Sequence, residues 1–207
     1  MRHQCLIYEG SPAKYLPGLA ATLIEHLRAN RRCAYFNSPA MVAGFRSYLA
    51  AAGIAVADEI ARGRIVLSSA VDHLIDGRFD PSRMLEMLSI SVDDALRDGF
   101  DGLWATGDMA WEFGSERNFE KLLDYEYGLE DLFQRQPALF GICQYHRDLM
   151  PFEACAYALC SHPAVFVNET LSRMNPHYGP RRGEKPSLSP VEFDRALNRL
   201  AAACSCE

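Results

Sequence analysis

Residues 102–111 read Gly-Leu-Trp-Ala-Thr-Gly-Asp-Met-Ala-Trp. A short apolar run, Leu103 to Ala105, leads into Thr106-Gly107-Asp108, the pattern of a buried strand that delivers polar and aromatic groups to a turn. Both tryptophans of the chain lie in this stretch. In an open α/β sheet, ligands sit beyond the carboxyl ends of the strands, between loops and helix N-termini that supply donors. The turn after Thr106 is therefore the first candidate site. An alternative stays open, in which Trp104 and Trp111 are core or rim aromatics and Asp108 caps the next helix.

Strand and helix patterns alternate on either side of it. Cys5–Tyr8 predicts a first strand, and leucines at helical spacing predict a helix over about 15–30. Cys33–Asn37 is a second strand, followed by a helix over about 40–52 that closes at Gly53. Ile54–Val56 is a short apolar piece, and Ile65–Ser69 is the third strand. A linker containing His73 precedes Asp80-Pro81, which reads as N-cap and first residue of a helix reaching about Asp98. The opening stretch is the fourth strand. A long helix is expected over Glu116–Arg135, then strands at Leu139–Tyr145 and Ala164–Asn168 around a helix at Pro151–Ser161. Met174–Tyr178 reads as irregular, and Ser189-Pro190-Val191-Glu192 opens a last helix to about Ala203. Successive β-α units imply a mainly parallel sheet of about six strands with helices on both faces.

With 207 residues, 49% of them hydrophobic and 23% charged, the chain has the composition of an ordinary globular protein. Its net charge of -6 argues against direct nucleic-acid binding. The one local basic group, Arg181-Arg182 with Lys185, reads as a solvated loop. No apolar run matches the roughly 18 to 20 residues of a membrane helix and no signal-peptide core is present, so a cytoplasmic chain is expected. Seven cysteines, most of them in apolar segments, suit reduced thiols, and Cys204 and Cys206 read as part of a frayed tail.

The loop after the first strand, Glu9 to Tyr15, holds one glycine and a lone lysine without phosphate-loop spacing. ATP hydrolysis is therefore disfavoured, and no G-x-G-x-x-G follows any strand. Three Cys/His pairs are candidate metal ligands: His3 with Cys5, Cys143 with His146, and Cys160 with His162. The first two are foremost, although cysteines are common in cores and no resident metal or other cofactor is expected. Glu126 interrupts an apolar helical stripe, so it must be paired, face a cavity, titrate high, or reach water at the stripe's edge. Tyr8, Phe36, Trp104, Trp111, Tyr125, Tyr145 and Tyr178, with Met109 beside them, fall near strand ends or on facing helices. Such a set suits a small apolar or planar ligand, or ordinary sheet-edge packing.

Taken in order, His3 with Ile7-Tyr8, Gly77-x-Phe79-Asp80, the stretch Gly102 to Trp111, Tyr125-Glu126, Cys143-Gln144-Tyr145, His162-Pro163 and Asn175-Pro176-x-Tyr178 make a set of motifs that resembles the MEDS sensory domain, a family named for methanogens, methylotrophs and the dichloromethane-responsive repressor. Within the central stretch the matching positions are Gly102-Leu103-x-x-Thr106-Gly107-Asp108-Met109-x-Trp111. The resemblance implies a RecA-like, KaiC-related three-layer core that has lost its phosphate loop and senses small molecules in prokaryotic signalling. It departs at Trp104, where the family pattern carries arginine, and at Asn30-Arg31-Arg32, where the pattern has Gly-Glu. The expectation is a sensory domain over 1–180, with 181–207 a loop and helix packed on or extending it. It is expected to be non-enzymatic, with a ligand held by Tyr8, Trp104, Asp108, Met109, Trp111, Tyr125, Glu126 and Tyr145. Output would pass through a regulatory partner such as a kinase, an anti-sigma factor or a transcription regulator, and a homodimer is open. Two alternatives are kept: an enzyme using Glu126 or Asp108 as base near a Cys/His metal, and a protein-binding scaffold with no ligand.

Overall fold

The computed structural model describes residues 1–72, 74–114, 121–168, 171–179 and 188–202. His73, the first turns expected of the helix at 116–120, the Arg181/Arg182/Lys185 loop and the Cys204/Cys206 tail lie outside the described residues.

The elements in chain order are β1 (His3–Tyr8), a 3-10 turn (Pro12–Tyr15), α1 (Leu16–Arg28), β2 (Arg32–Phe36), α2 (Pro39–Ala51), α3 (Val56–Ala61) and β3 (Ile65–Ser68). They continue with β4 (Leu74–Ile75), β5 (Arg78–Phe79), α4 (Pro81–Arg97), β6 (Leu103–Asp108), α5 (Met109–Glu112) and α6 (Leu122–Arg135). The remainder is β7 (Leu139–His146), α7 (Phe152–Ser161), β8 (Ala164–Asn168), β9 (Leu171–Met174) and α8 (Pro190–Ala202). The main sheet has seven strands in the order β3-β2-β6-β7-β1-β8-β9. Six of them run parallel, and β9 adds an antiparallel edge beside β8.

Three differences from the sequence expectation have local causes. Strand β9 is four residues long and pairs at the sheet edge, too short for a period-2 pattern to register. The β4–β5 hairpin turns through Asp76 and Gly77, both with positive φ, inside what reads as a polar linker. The piece at 54–56 is the entry to α3, a helix of six residues with only Val56 buried.

Predicted caps are present. Asp80 Oδ1 accepts the Arg83 N–H at 2.9 Å. Ser189 and Glu192 form a reciprocal capping box, in which the Glu192 carboxylate accepts from the Ser189 N–H at 2.9 Å.

Strand alternation sorts the core into two halves. On one face, Leu6, Tyr8, Cys33, Tyr35, Trp104 and Ile142 pack with Leu16, Leu19 and Leu23 of α1 and Phe45 and Leu49 of α2. On the other, Cys5, Leu103, Cys143 and Tyr145 pack with α4, α6, α7 and α8 through Met84, Leu88, Tyr125, Leu129, Leu159 and Phe193. The molecule is thus three layers, helix on sheet on helix. No helix among the described residues is long and apolar enough to cross a membrane.

Candidate functional site

The parallel strands end together, and beyond the ends of β1, β2, β6 and β7 lies a cleft of about 670 Å3. Tyr8, Asn37, Asp108, Trp111 and His146 line it together with Met41, Leu74 and Leu149. The Tyr8 hydroxyl donates to Asp108 Oδ2 at 3.0 Å. The other carboxylate oxygen accepts the Trp111 N–H at 3.1 Å, so Asp108 also caps α5. Burial pushes the Asp108 carboxyl above its ordinary range against these two hydrogen bonds, and burial beside Asp108 pushes the Tyr8 phenol up. The Tyr8 ring lies between His146, stacked at 4.8 Å, and Tyr15 at 5.0 Å.

His146 Nε2 sits 2.7 Å from the Gly10 carbonyl, to which it must donate. In the neutral ring its Nδ1 is then a lone-pair acceptor; this atom is buried and without a hydrogen-bond partner among the described residues. Gly10 adopts φ of 75°, a left-handed turn that suits glycine, and its N–H donates to Asp148 Oδ2 at 2.8 Å. An amide at the place where a phosphate loop would offer its donors is therefore already bonded to a carboxylate.

A second cluster lies across the sheet, under α6 and α7. Glu126, fully buried, accepts hydrogen bonds from the Tyr145 hydroxyl and, at 3.0 Å, from Ser161 Oγ. Burial outweighs these bonds and pushes its carboxyl up to about 7. The reading of Glu126 as a residue at the stripe's edge that reaches water is thereby excluded: it is fully buried and accepts two hydrogen bonds.

His162 Nε2 lies 3.6 Å from Glu126 Oε2. His162 Nδ1 donates to the Ala158 carbonyl at 2.8 Å. His3 Nδ1 contacts Glu130 Oε2 at 2.7 Å, and its ring stacks on Phe133 at 4.1 Å and lies 4.1 Å from the His162 ring. Burial lowers both histidines and so favours neutral imidazoles. At Glu130 burial works upward but is outweighed by the bonds from His3 and Tyr178, so its carboxyl is lowered.

Of the residues singled out from sequence, Tyr8, Asp108 and Trp111 meet in the cleft, while Glu126 and Tyr145 meet in the second cluster. Tyr145 and His146 are neighbours on one strand and point to opposite faces. Met109 and Tyr125 are core residues, 1% and 2% exposed. Trp104 lies apart from both sites, at the start of β6, where it is 1% exposed and stacks on His26 at 5.5 Å.

The metal candidates regroup. His146 belongs to the cleft, and Cys5 is buried opposite Cys143 in the β1–β7 register without joining a ligand group. His3 and Cys143 come together with His162, one donor atom from each lying within 4.8 Å of the others. Sequence reasoning missed Glu130, Ser161 and the acceptor His146 Nδ1. It did quote Asn175 and Tyr178 as a motif, and their roles are now visible: Asn175 Nδ2 donates to the His162 carbonyl at 2.9 Å and Tyr178 OH to Glu130 Oε1 at 2.7 Å.

The fold and site together are a mainly parallel α/β sheet covered by helices on both faces, with an aromatic-lined cleft beyond the strand ends. The family model for MEDS, the methanogen/methylotroph, DcmR sensory domain, matches residues 2–163, and the chain belongs to that family. No curated protein matches the chain.

Proposed function

We propose that this chain senses a small, largely apolar organic molecule carrying a hydroxyl or amino group, held in the cleft beyond β1, β6 and β7. The observation that carries this reading is the lining: aromatic and aliphatic walls converge on two acceptors, Asp108 and His146 Nδ1. A ligand donor satisfies them, and a ligand anion is repelled by Asp108. The volume falls within the roughly 300–1,000 Å3 usual for small-molecule pockets. The lineage implied by the family, a RecA-like core without its phosphate loop, accounts for a cleft at this place.

The role is sensory and not catalytic, with output through a partner chain. Trp111 walls the cleft and also a second recess of about 200 Å3 between α4 and strands β2 and β3, lined by Phe36, Val66, Met84, Met87 and Leu88. A ligand that moves Trp111 reshapes a surface groove that a regulatory protein reads, provided the ligand favours one arrangement energetically. An enzyme built on Glu126 is less well supported. The small void lined by Glu112, Tyr125 and Cys143, about 30 Å3, has room for a water or two and no substrate, and Glu126 is not part of its lining.

The test uses Trp111 fluorescence in a Trp104→Phe background, titrated with short-chain alcohols, amines and chlorinated methanes. A saturable change is expected with a donor-bearing ligand, together with a rise in melting temperature of roughly 5–10 °C at a hundredfold excess over Kd. Tyr8→Phe combined with Asp108→Asn should abolish both. No response to any member of the panel would overturn the reading.

A further inference from the structure

We propose that His3, Cys143 and His162 form a buried site for a divalent transition metal of the zinc type, with Glu126 as the fourth ligand. The site is separate from the cleft and independent of the sensory reading, because the sheet lies between them.

The Ala158 carbonyl can only accept, so His162 Nδ1 carries the proton that it donates over 2.8 Å. The Glu130 carboxylate accepts in the same way from His3 Nδ1 at 2.7 Å. Each neutral ring is thereby left with a bare lone pair on Nε2. Both Nε2 atoms are buried and have no hydrogen-bond partner among the described residues.

Unpartnered buried polar atoms are costly, and two on touching rings call for a shared occupant. Glu126 Oε2, 3.6 Å from His162 Nε2, supplies a further lone pair directed at the same ring. The hydroxyl protons near it are already committed, since Tyr145 and Ser161 both donate to Glu126. The hydrogens left among the donors, on the Cys143 thiol and on Glu126 when it is protonated, are ones a metal displaces, so the set suits a cation.

The chemistry of the set narrows which cation. Two imidazoles and a thiol are the ligands of zinc and its neighbours and not of calcium or magnesium. A tetrahedral zinc places its nitrogen and sulfur donors about 3.3–3.8 Å apart. The His3, Cys143 and His162 donors lie within 4.8 Å of one another, so side-chain adjustment of about an ångström brings these three to one ion; Glu126 is outside that group of three and approaches it from the His162 side.

The outer partners also fit. A ligating imidazole usually donates its other N–H to a carboxylate or a backbone carbonyl, and His3 and His162 show one of each. Tyr178 and Gln134 in turn hold Glu130, and Asn175 holds the backbone of His162. Binding would release the Cys143 thiol proton to solvent, since the ligand form is the thiolate. With every donor buried and no position left open, the metal would be structural, tying β1 and β7 to the end of α7.

The experiment expresses the full chain with zinc in the medium, purifies it without chelator and measures metal per chain by mass spectrometry. About one equivalent is expected. Refolding with cobalt should give the intense visible bands of a tetrahedral ion and a thiolate charge-transfer band in the near-ultraviolet. Cys143→Ser should lose the charge-transfer band, whereas Cys160→Ser, outside the cluster, should keep it. Should Cys143→Ser fail to fold, stoichiometry and the cobalt spectrum of the unaltered chain still decide. Less than about a tenth of an equivalent, both as purified and after refolding with metal, overturns the proposal, as does a charge-transfer band that survives Cys143→Ser.

Discussion

Trp104 and Trp111 lie seven residues apart in the stretch that organises the sheet, and the structure gives them opposite roles that mutation can separate. Trp104 is 1% exposed on the α1 side, stacked on His26, and its Nε1–H has no hydrogen-bond partner among the described residues. Truncation to alanine removes roughly 200 Å2 of buried ring, about 5 kcal/mol at 25 cal/mol per Å2. Measured truncations of large core aromatics cost about 3–5 kcal/mol. Against a total stability of about 5–15 kcal/mol, Trp104→Ala should lower the urea midpoint by roughly 1.5–2 M.

Trp104→Phe divides the effect. The smaller ring still meets His26 and gives up about 1–2 kcal/mol of packing, but it also removes an unsatisfied buried donor that costs about 1–3 kcal/mol. The two effects offset, and the variant should fall within about 1 kcal/mol of the natural chain. Equilibrium urea unfolding followed by far-ultraviolet circular dichroism measures both. The reasoning fails if Trp104→Ala costs under 1 kcal/mol, which would put the ring outside the core, or if Trp104→Phe is as damaging as Trp104→Ala, which would give the indole N–H a partner.

Two further outcomes follow from the same sheet. Gly102 has φ of 146°, and a Cβ there would collide with the Ala138 carbonyl oxygen that accepts the Leu103 N–H at 3.0 Å; Gly102→Ala should therefore cost more than about 2 kcal/mol in urea unfolding, and a near-neutral result would refute the close approach. His26 is lowered to about 4 by burial and by Arg31, whose Nη1 donates to its Nδ1 at 3.1 Å. Because the unfolded chain binds the proton first, near pH 6.5, this contribution is complete above that value and is lost as pH falls toward 4. The ring is partly exposed, so the loss should be about 1–2 kcal/mol, and unfolding of His26→Gln should show a shallower pH dependence between 7 and 4.5 than the natural chain.

The fold was legible because its signals are local. Asp80-Pro81 and Ser189-x-x-Glu192 are caps that work within one turn, and the apolar runs of β1, β2, β6 and β7 alternate with amphipathic helices regardless of tertiary context. The candidate site was legible only in part, because its geometry depends on register between strands far apart in sequence. Period-2 alternation says that Tyr145 and His146 face opposite ways. It does not say that His146 stands opposite Tyr8, or that Cys143 shares a face with His3. Trp104 was drawn into the site because it is close in sequence to Asp108. Four residues along a strand are about 13 Å, enough to carry a side chain from the strand's end to its beginning.

The same register bears on how the two sites relate. Tyr8 and His146 are paired residues at the ends of β1 and β7, and Cys143 and Tyr145 occupy the same β7 strand with side chains on the opposite face. His3 begins the β1 strand that Tyr8 ends. A ligand bound at the cleft and a metal held beneath α7 would thus grip the same two central strands from opposite faces. A central parallel pair between packed layers is a poor element for large movement, since its interior neighbours have no room to shift. Motion on ligand binding is better supplied by α5, a single turn held by Asp108 through the Trp111 N–H. On this argument the buried cluster would fix the platform, and Asp108 and Trp111 would be the parts that respond.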